Sequence, residues 1–152
     1  DDEGSQFDAK GRLRSWWTKE DREAFEKLCA KLVDQYNAYE PLPGKHVNGK
    51  LTLGENLADN NGLRLSYETL RPSEEGPKLE GYTPAQRFFL AWGQIRCENV
   101  TPEDERRQAL GDPHATGRAR VNVVLSNMPE FARAFRCTEG KPMAPAKRCR
   151  LW

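Results

Sequence analysis

Glu55 and Asp59 stand four residues apart in the run Gly54-Glu55-Asn56-Leu57-Ala58-Asp59-Asn60-Asn61-Gly62. On a helix that spacing puts both carboxylates on one face, one turn from each other. Like charges so placed repel, and the ordinary setting for such a pair is a solvated acidic face near a helix start, where the dipole favours carboxylates. Leu53, Leu57, Leu63 and Leu65 surround the pair, however, and predict partial burial. Buried carboxylates stay ionised only with a cation or hydrogen-bond donors against them, and a metal site supplies both. The other candidate is His114, in Asp112-Pro113-His114-Ala115-Thr116-Gly117-Arg118-Ala119-Arg120-Val121-Asn122. By itself a lone loop histidine reads as a surface or hydrogen-bonded residue, and the second histidine, His46, reads as structural.

These residues need elements to hold them. Thr18, with Asp21 three residues on, predicts the N-terminus of an amphipathic helix over about 19–39, carrying Phe25, Leu28, Cys29, Leu32, Val33 and Tyr36 at helical spacing. Pro41, Pro43 and Gly44 end it. Asn48-Gly49 marks a tight turn into a second helix from about Leu53 to Leu70. After a loop rich in Pro, Glu and Gly, Thr83-Pro84 opens a third helix with Phe88, Phe89, Ala91, Trp92 and Ile95 on its apolar face, ending near Asn99. Thr101-Pro102 starts a short helix to about Leu110. Residues 111–117 read as a connector, followed by short helices over Val121–Leu125 and Pro129–Phe135. Residues 1–15 and the last fifteen residues read as irregular. Strand signals are weak throughout, so the fold class is mainly α.

Composition bounds the function. The chain has 152 residues, with 24 Lys plus Arg against 23 Asp plus Glu, a formal charge of +1. That balance argues against a nucleic-acid or membrane-surface partner, since both require an excess of positive charge. No apolar run approaches the roughly 20 residues of a membrane span. A charged fraction of 31% beside 37% hydrophobic residues suggests that part of the core lies in another segment. Cys29, Cys97, Cys137 and Cys149 form no C-x-x-C pair, which makes disulfides in an oxidising compartment a better reading than a zinc or redox motif. Four buried thiols in a cytosolic protein are the alternative.

The segment Val47-Asn48-Gly49-Lys50-Leu51-Thr52-Leu53-Gly54-Glu55-Asn56-Leu57-Ala58-Asp59 resembles the G-E-N-x-x-D stretch of the neprilysin and endothelin-converting-enzyme family of zinc metalloendopeptidases. Asp1-Asp2-Glu3-Gly4 is similar to the stretch just after that family's H-E-x-x-H helix. Trp16-Trp17-Thr18 is similar to its W-W-T, and Cys149-Arg150-Leu151-Trp152 to its terminal C-x-x-W. The resemblance covers essentially the whole chain. It implies that residues 1–152 are the C-terminal helical part of a zincin-type, thermolysin-like catalytic domain.

It also implies roles. Glu55 becomes the third ligand of one Zn2+ ion whose two His ligands lie in H-E-x-x-H. Asp59 becomes the carboxylate that orients a ligating His, and Asn56 helps position substrate backbone. His114, in a stretch similar to the family's H-x-P-x-x-x-R-x-N, becomes the stabiliser of the tetrahedral oxyanion, and Arg120 the clamp on a substrate carbonyl. Thr116 stands where the family commonly has Pro, and Ala119 where it commonly has an aromatic residue. Cys29 is implied to pair with Cys149, and Cys97 and Cys137 with cysteines earlier in the protein.

The chain contains no H-E-x-x-H, and Glu55 alone cannot hold a catalytic zinc. The expectation is therefore one part of a peptidase that hydrolyses oligopeptides through a zinc-activated water, inactive without its N-terminal portion. Its partners would be that portion and peptide substrates. Its location would be extracellular, as a cell-surface ectodomain, or periplasmic. The competing reading is a non-catalytic peptide-binding or interaction module on the same scaffold.

Overall fold

The computed structural model describes residues 4–150, so the correspondences at Asp1-Asp2-Glu3 and Leu151-Trp152 lie outside the described residues. A 3-10 turn over Gly4–Gln6 leads to α1 (Lys19–Asn37), α2 (Leu53–Leu70), α3 (Pro84–Gln94), α4 (Pro102–Gly111), α5 (Gly117–Ser126) and α6 (Pro129–Ala134). Among the described residues the only β pairings are isolated bridges at tight turns such as Leu42↔Lys45 and Leu79↔Tyr82. The mainly α expectation agrees with this architecture.

Side-chain caps set where helices begin. Thr18 Oγ1 accepts the Asp21 N–H at 3.1 Å and donates its hydroxyl to Asp21 Oδ2 at 2.8 Å. Thr83 and Gln86 form a reciprocal capping box at α3, and Thr101 accepts from Asp104 N–H at α4. Each cap satisfies an amide that the helix itself leaves unpaired.

Two apolar clusters share α5. In the first, Phe25, Cys29, Leu32 and Tyr36 of α1 meet Leu57 of α2 and Ala115, Ala119 and Val123 at and within α5. In the second, Leu63 of α2 and Phe89 of α3 meet Val124, Leu125 and Met128. Phe89 stacks on Tyr67 at 5.2 Å and meets Phe131 edge-on at 5.5 Å. Burying a side chain such as Leu32 or Phe89 contributes roughly 1.5–3 kcal/mol. Both clusters bear on α2 and α5, so the helices carrying Glu55, Asp59 and Arg120 are fixed against each other from two sides.

The connection from α1 to α2 is closed by backbone contact. Asn37 Oδ1 accepts the Gly49 N–H at 2.8 Å, and a Cβ at Gly49 would lie 2.3 Å from the Val33 carbonyl oxygen. No side chain fits there.

Two helix limits differ from the sequence expectation by four residues or more. α3 stops at Gln94 instead of near Asn99, its last turn tightening through Arg96 N–H to Gly93 O and Cys97 N–H to Gln94 O. Ile95 faces solvent, so no apolar burial extends the helix. α5 begins at Gly117 instead of Val121, because buried Ala115 and Ala119 let the chain wind tightly against the first cluster. Leu13, Trp16, Leu65, Leu70, Ile95 and Leu110 are exposed.

Candidate metal centre

The loop before α2 prepares the site. Asn48 Oδ1 accepts the Leu51 N–H, and Thr52 Oγ1 donates to the Asn48 carbonyl at 3.0 Å while accepting from Asn56 Nδ2 at 2.8 Å. Asn56 is buried by these contacts, and its Oδ1 has no hydrogen-bond partner among the described residues. Glu55 lies beside it in the first turn of α2, where the helix dipole favours an anion.

One turn separates two environments. The Glu55 side chain is 41% exposed, whereas that of Asp59 is 7% exposed. Asp59 is held by Arg120 of α5, which donates Nε–H to Oδ2 at 2.6 Å and Nη2–H to Oδ1 at 2.8 Å. The same Nη2 is 3.6 Å from Glu55 Oε2. Bonding to Asp59 holds the Arg120 guanidinium above its usual value, against the opposing effect of burial. The cation that the sequence required for a buried carboxylate is therefore present in this chain as Arg120.

His114 reaches the pair from the connector before α5. Its Nε2 is 3.3 Å from Glu55 Oε2, and its Nδ1 is 2.9 Å from Asp112 Oδ1. Asp112 also accepts the His114 backbone N–H at 2.8 Å. That backbone bond, followed by the ring contact, holds the Asp112 carboxyl below the usual carboxylate range. Glu55, Asp59, His114 and Arg120 thus form one connected network, drawn from positions 55–120 by α2, α5 and the loop between α4 and α5. His46 is exposed on the turn before α2, away from these contacts.

Three contributors were not singled out in the sequence. Asp112 had a readable signal, since an Asp two residues before a loop His suits a side-chain-to-backbone turn. Arg96 approaches Asp59 Oδ1 at 3.6 Å and had none. Nor had Asn127, whose amide donates to Asn60 Oδ1 and Gln35 Oε1 and accepts from Gln35 Nε2 and the Cys149 N–H. Asn60 passes the connection on by donating to the Asn56 carbonyl at 2.8 Å.

Cys29 is buried in α1 and Cys149 packs against the same apolar cluster, but the structure does not join the two sulfurs as expected: the Cys149 thiol donates to the Lys31 carbonyl at 3.4 Å. Burial pushes the Cys149 thiol up. Cys97 is exposed and Cys137 half-buried.

As a metal site the donor set is partial. Among the described residues no three His, Cys, Asp or Glu side chains converge as a ligand group. Glu55 fits one ligand position: a carboxylate is a normal zinc donor, and this one is accessible and held next to an imidazole. A zinc site needs further ligands beside it.

The comparisons with known proteins bear on the whole chain. The sequence model of Peptidase family M13 matches residues 1–151. Neprilysin-1 of Caenorhabditis elegans is 41% identical over all of this chain, and human endothelin-converting enzyme 1 is 40% identical. The chain spans about a fifth of the length of these relatives. Among solved structures, the zinc metalloprotease ZMP1 of Mycobacterium tuberculosis in complex with an inhibitor superposes with a TM-score of 0.86 at 36% identity, covering 99% of this chain and 24% of that one. PEPO from Lactobacillus rhamnosis matches 92% of the chain and 21% of its own, with a TM-score of 0.78. A family match from end to end, on a helical fold shared with a solved zinc metalloprotease, means that this chain belongs to peptidase family M13.

Proposed function

We propose that the chain is the C-terminal part of a zinc-dependent metalloendopeptidase that hydrolyses peptide bonds in oligopeptides. The observation that carries this reading is the placement of Glu55 Oε2 within 3.3 Å of His114 Nε2 and 3.6 Å of Arg120 Nη2, in a family member. Glu55 supplies one oxygen ligand, with two imidazoles contributed by an H-E-x-x-H helix outside this chain. Zinc, when bound, supplies Lewis-acid polarisation of the scissile carbonyl and acidifies water.

The chain's own residues do the rest. Asp59, buried and hydrogen-bonded by Arg120, can accept the outer N–H of a ligating imidazole and so fix its tautomer. Asp112 fixes the ring of His114 through Nδ1, so that Nε2, when protonated, donates toward the charge that develops on the carbonyl oxygen. Arg120 offers a substrate carbonyl its Nη1 edge, which Asp59 does not use. Asn56, with its Oδ1 unspent, receives a substrate or partner N–H. The site is completed by the N-terminal portion of the protein, in an extracellular, cell-surface or periplasmic setting where a Cys29–Cys149 disulfide can form. Among the described residues no helix is long and apolar enough to cross a membrane.

The test is Glu55→Ala in the complete protein, read as zinc per polypeptide by atomic absorption. Loss of the metal together with peptide turnover is expected. Retention of stoichiometric zinc would remove Glu55 from the coordination set, and a complete wild-type protein that binds no zinc would favour an interaction module.

A further inference from the structure

Arg96 sits just past the end of α3, where the chain leaves the helix at Gln94. Its Nη2 is 3.6 Å from Asp59 Oδ1, an ion-pair separation longer than a hydrogen bond. The guanidinium lies 5.8 Å from the Trp92 ring centroid, and Trp92 donates its indole N–H to the Arg120 carbonyl at 3.3 Å. An aromatic face therefore holds Arg96 beside Arg120, with no carboxylate of its own. Asp59 already accepts two short bonds from Arg120, whose Nη2 also lies 3.6 Å from Glu55 Oε2, so Arg96 is left with only the longer contact to Asp59. Arg96 Nε is buried without a hydrogen-bond partner among the described residues. Its side chain is 30% exposed, against 11% for Arg120 and 7% for Asp59, which makes Arg96 the member of the trio that solvent reaches.

A guanidinium that is stacked in place, partly open to solvent and short of acceptors has the charge to take a carboxylate on its exposed edge. Resting on the peptidase reading above, we propose that Arg96 is a specificity-determining residue that receives a carboxylate of the peptide substrate. The carboxylate can come from an acidic side chain or from the peptide C-terminus. A neutral peptide leaves Arg96 without that partner, so the effect falls mainly on substrate binding, and hence on KM.

The test uses the complete protein and a nonapeptide set in which Glu or Gln is scanned through each position, every member made as the free acid and as the C-terminal amide. kcat/KM is measured with the zinc-loaded protein, and Kd by calorimetry with the metal-free protein. For one Glu position, or for the free acid, the acidic member should be favoured about tenfold, the scale of a charge-assisted hydrogen bond. Arg96→Gln should bring that ratio close to one, and Arg96→Lys should keep part of it. Which pair responds tells side chain from terminus. Each comparison is a ratio within one variant, so a general loss of folding cancels. A wild-type protein with no acidic preference, or an R96Q variant that retains it, overturns the proposal. If no peptide is cleaved while the Kd ratio still depends on Arg96, the Arg96 assignment stands and the peptidase reading falls.

Discussion

Arg120 on α5 grips the buried Asp59 on α2 through two hydrogen bonds of 2.6 and 2.8 Å, joining positions 61 residues apart. Removing one partner strands the other. Arg120→Ala should destabilise the fold by about 3 kcal/mol, the low end for a broken buried pair because Arg96 remains near the carboxylate. The double variant Asp59→Leu with Arg120→Leu should cost less than the sum of Asp59→Leu and Arg120→Leu made singly. Urea unfolding of the four proteins checks this, and simple additivity would show that the two groups do not act as a pair.

His114→Ala should lower kcat in the complete enzyme by about 10²–10³, the scale for losing one oxyanion donor, with zinc content unchanged. Metal analysis alongside steady-state kinetics separates the roles: a variant that loses its zinc would make His114 a ligand instead.

The Asp112–His114 contact should outlast ordinary carboxylate protonation. Asp112 is depressed below the usual Asp value of 3.8, first by the His114 backbone N–H and then by the ring. A depressed folded value means stabilisation that is fully present above the unfolded value and lost as pH falls through the folded one. The stability difference between wild type and Asp112→Asn should therefore be constant above about pH 5 and shrink below 3.8. Carboxyl carbon NMR that found Asp112 titrating at or above that value would contradict the assignment.

Non-reducing peptide mapping of the complete protein, prepared without reductant, should recover Cys29 and Cys149 in one linked peptide, since both side chains enter the same apolar cluster. Cys149→Ser should then cost about 2–4 kcal/mol through loop closure. Two separately alkylated peptides from protein prepared without reductant would end this expectation.

Much of the scaffold was legible because its signals are local. Thr18 with Asp21 and Thr83 with Pro84 mark helix starts within four residues, and both helices begin where those signals put them. The end of α3 and the start of α5 were misplaced because neither depends on a local signal. Ile95 looked like another core position until the fold left it facing solvent, and Gly117 looked like a turn until Ala119 was found buried. At the site, the helical spacing of Glu55 and Asp59 was readable, and their partial burial followed from flanking leucines. Their partners were not, because Arg96, Arg120 and Asn127 meet α2 only after the chain has folded back on itself. The resemblance proposed roles for Glu55, Asp59, His114 and Arg120 but gave no contact between them.

The close seating of Gly49 against the Val33 carbonyl has a consequence for engineering. The spacing between the first two long helices is registered by main chain against main chain, so changing the volume of Leu32 or Leu57 cannot reset it. Variants that alter those side chains should loosen the bundle while leaving Glu55 at the same height above α1, whereas any residue larger than glycine at 49 would tilt that carboxylate away from His114.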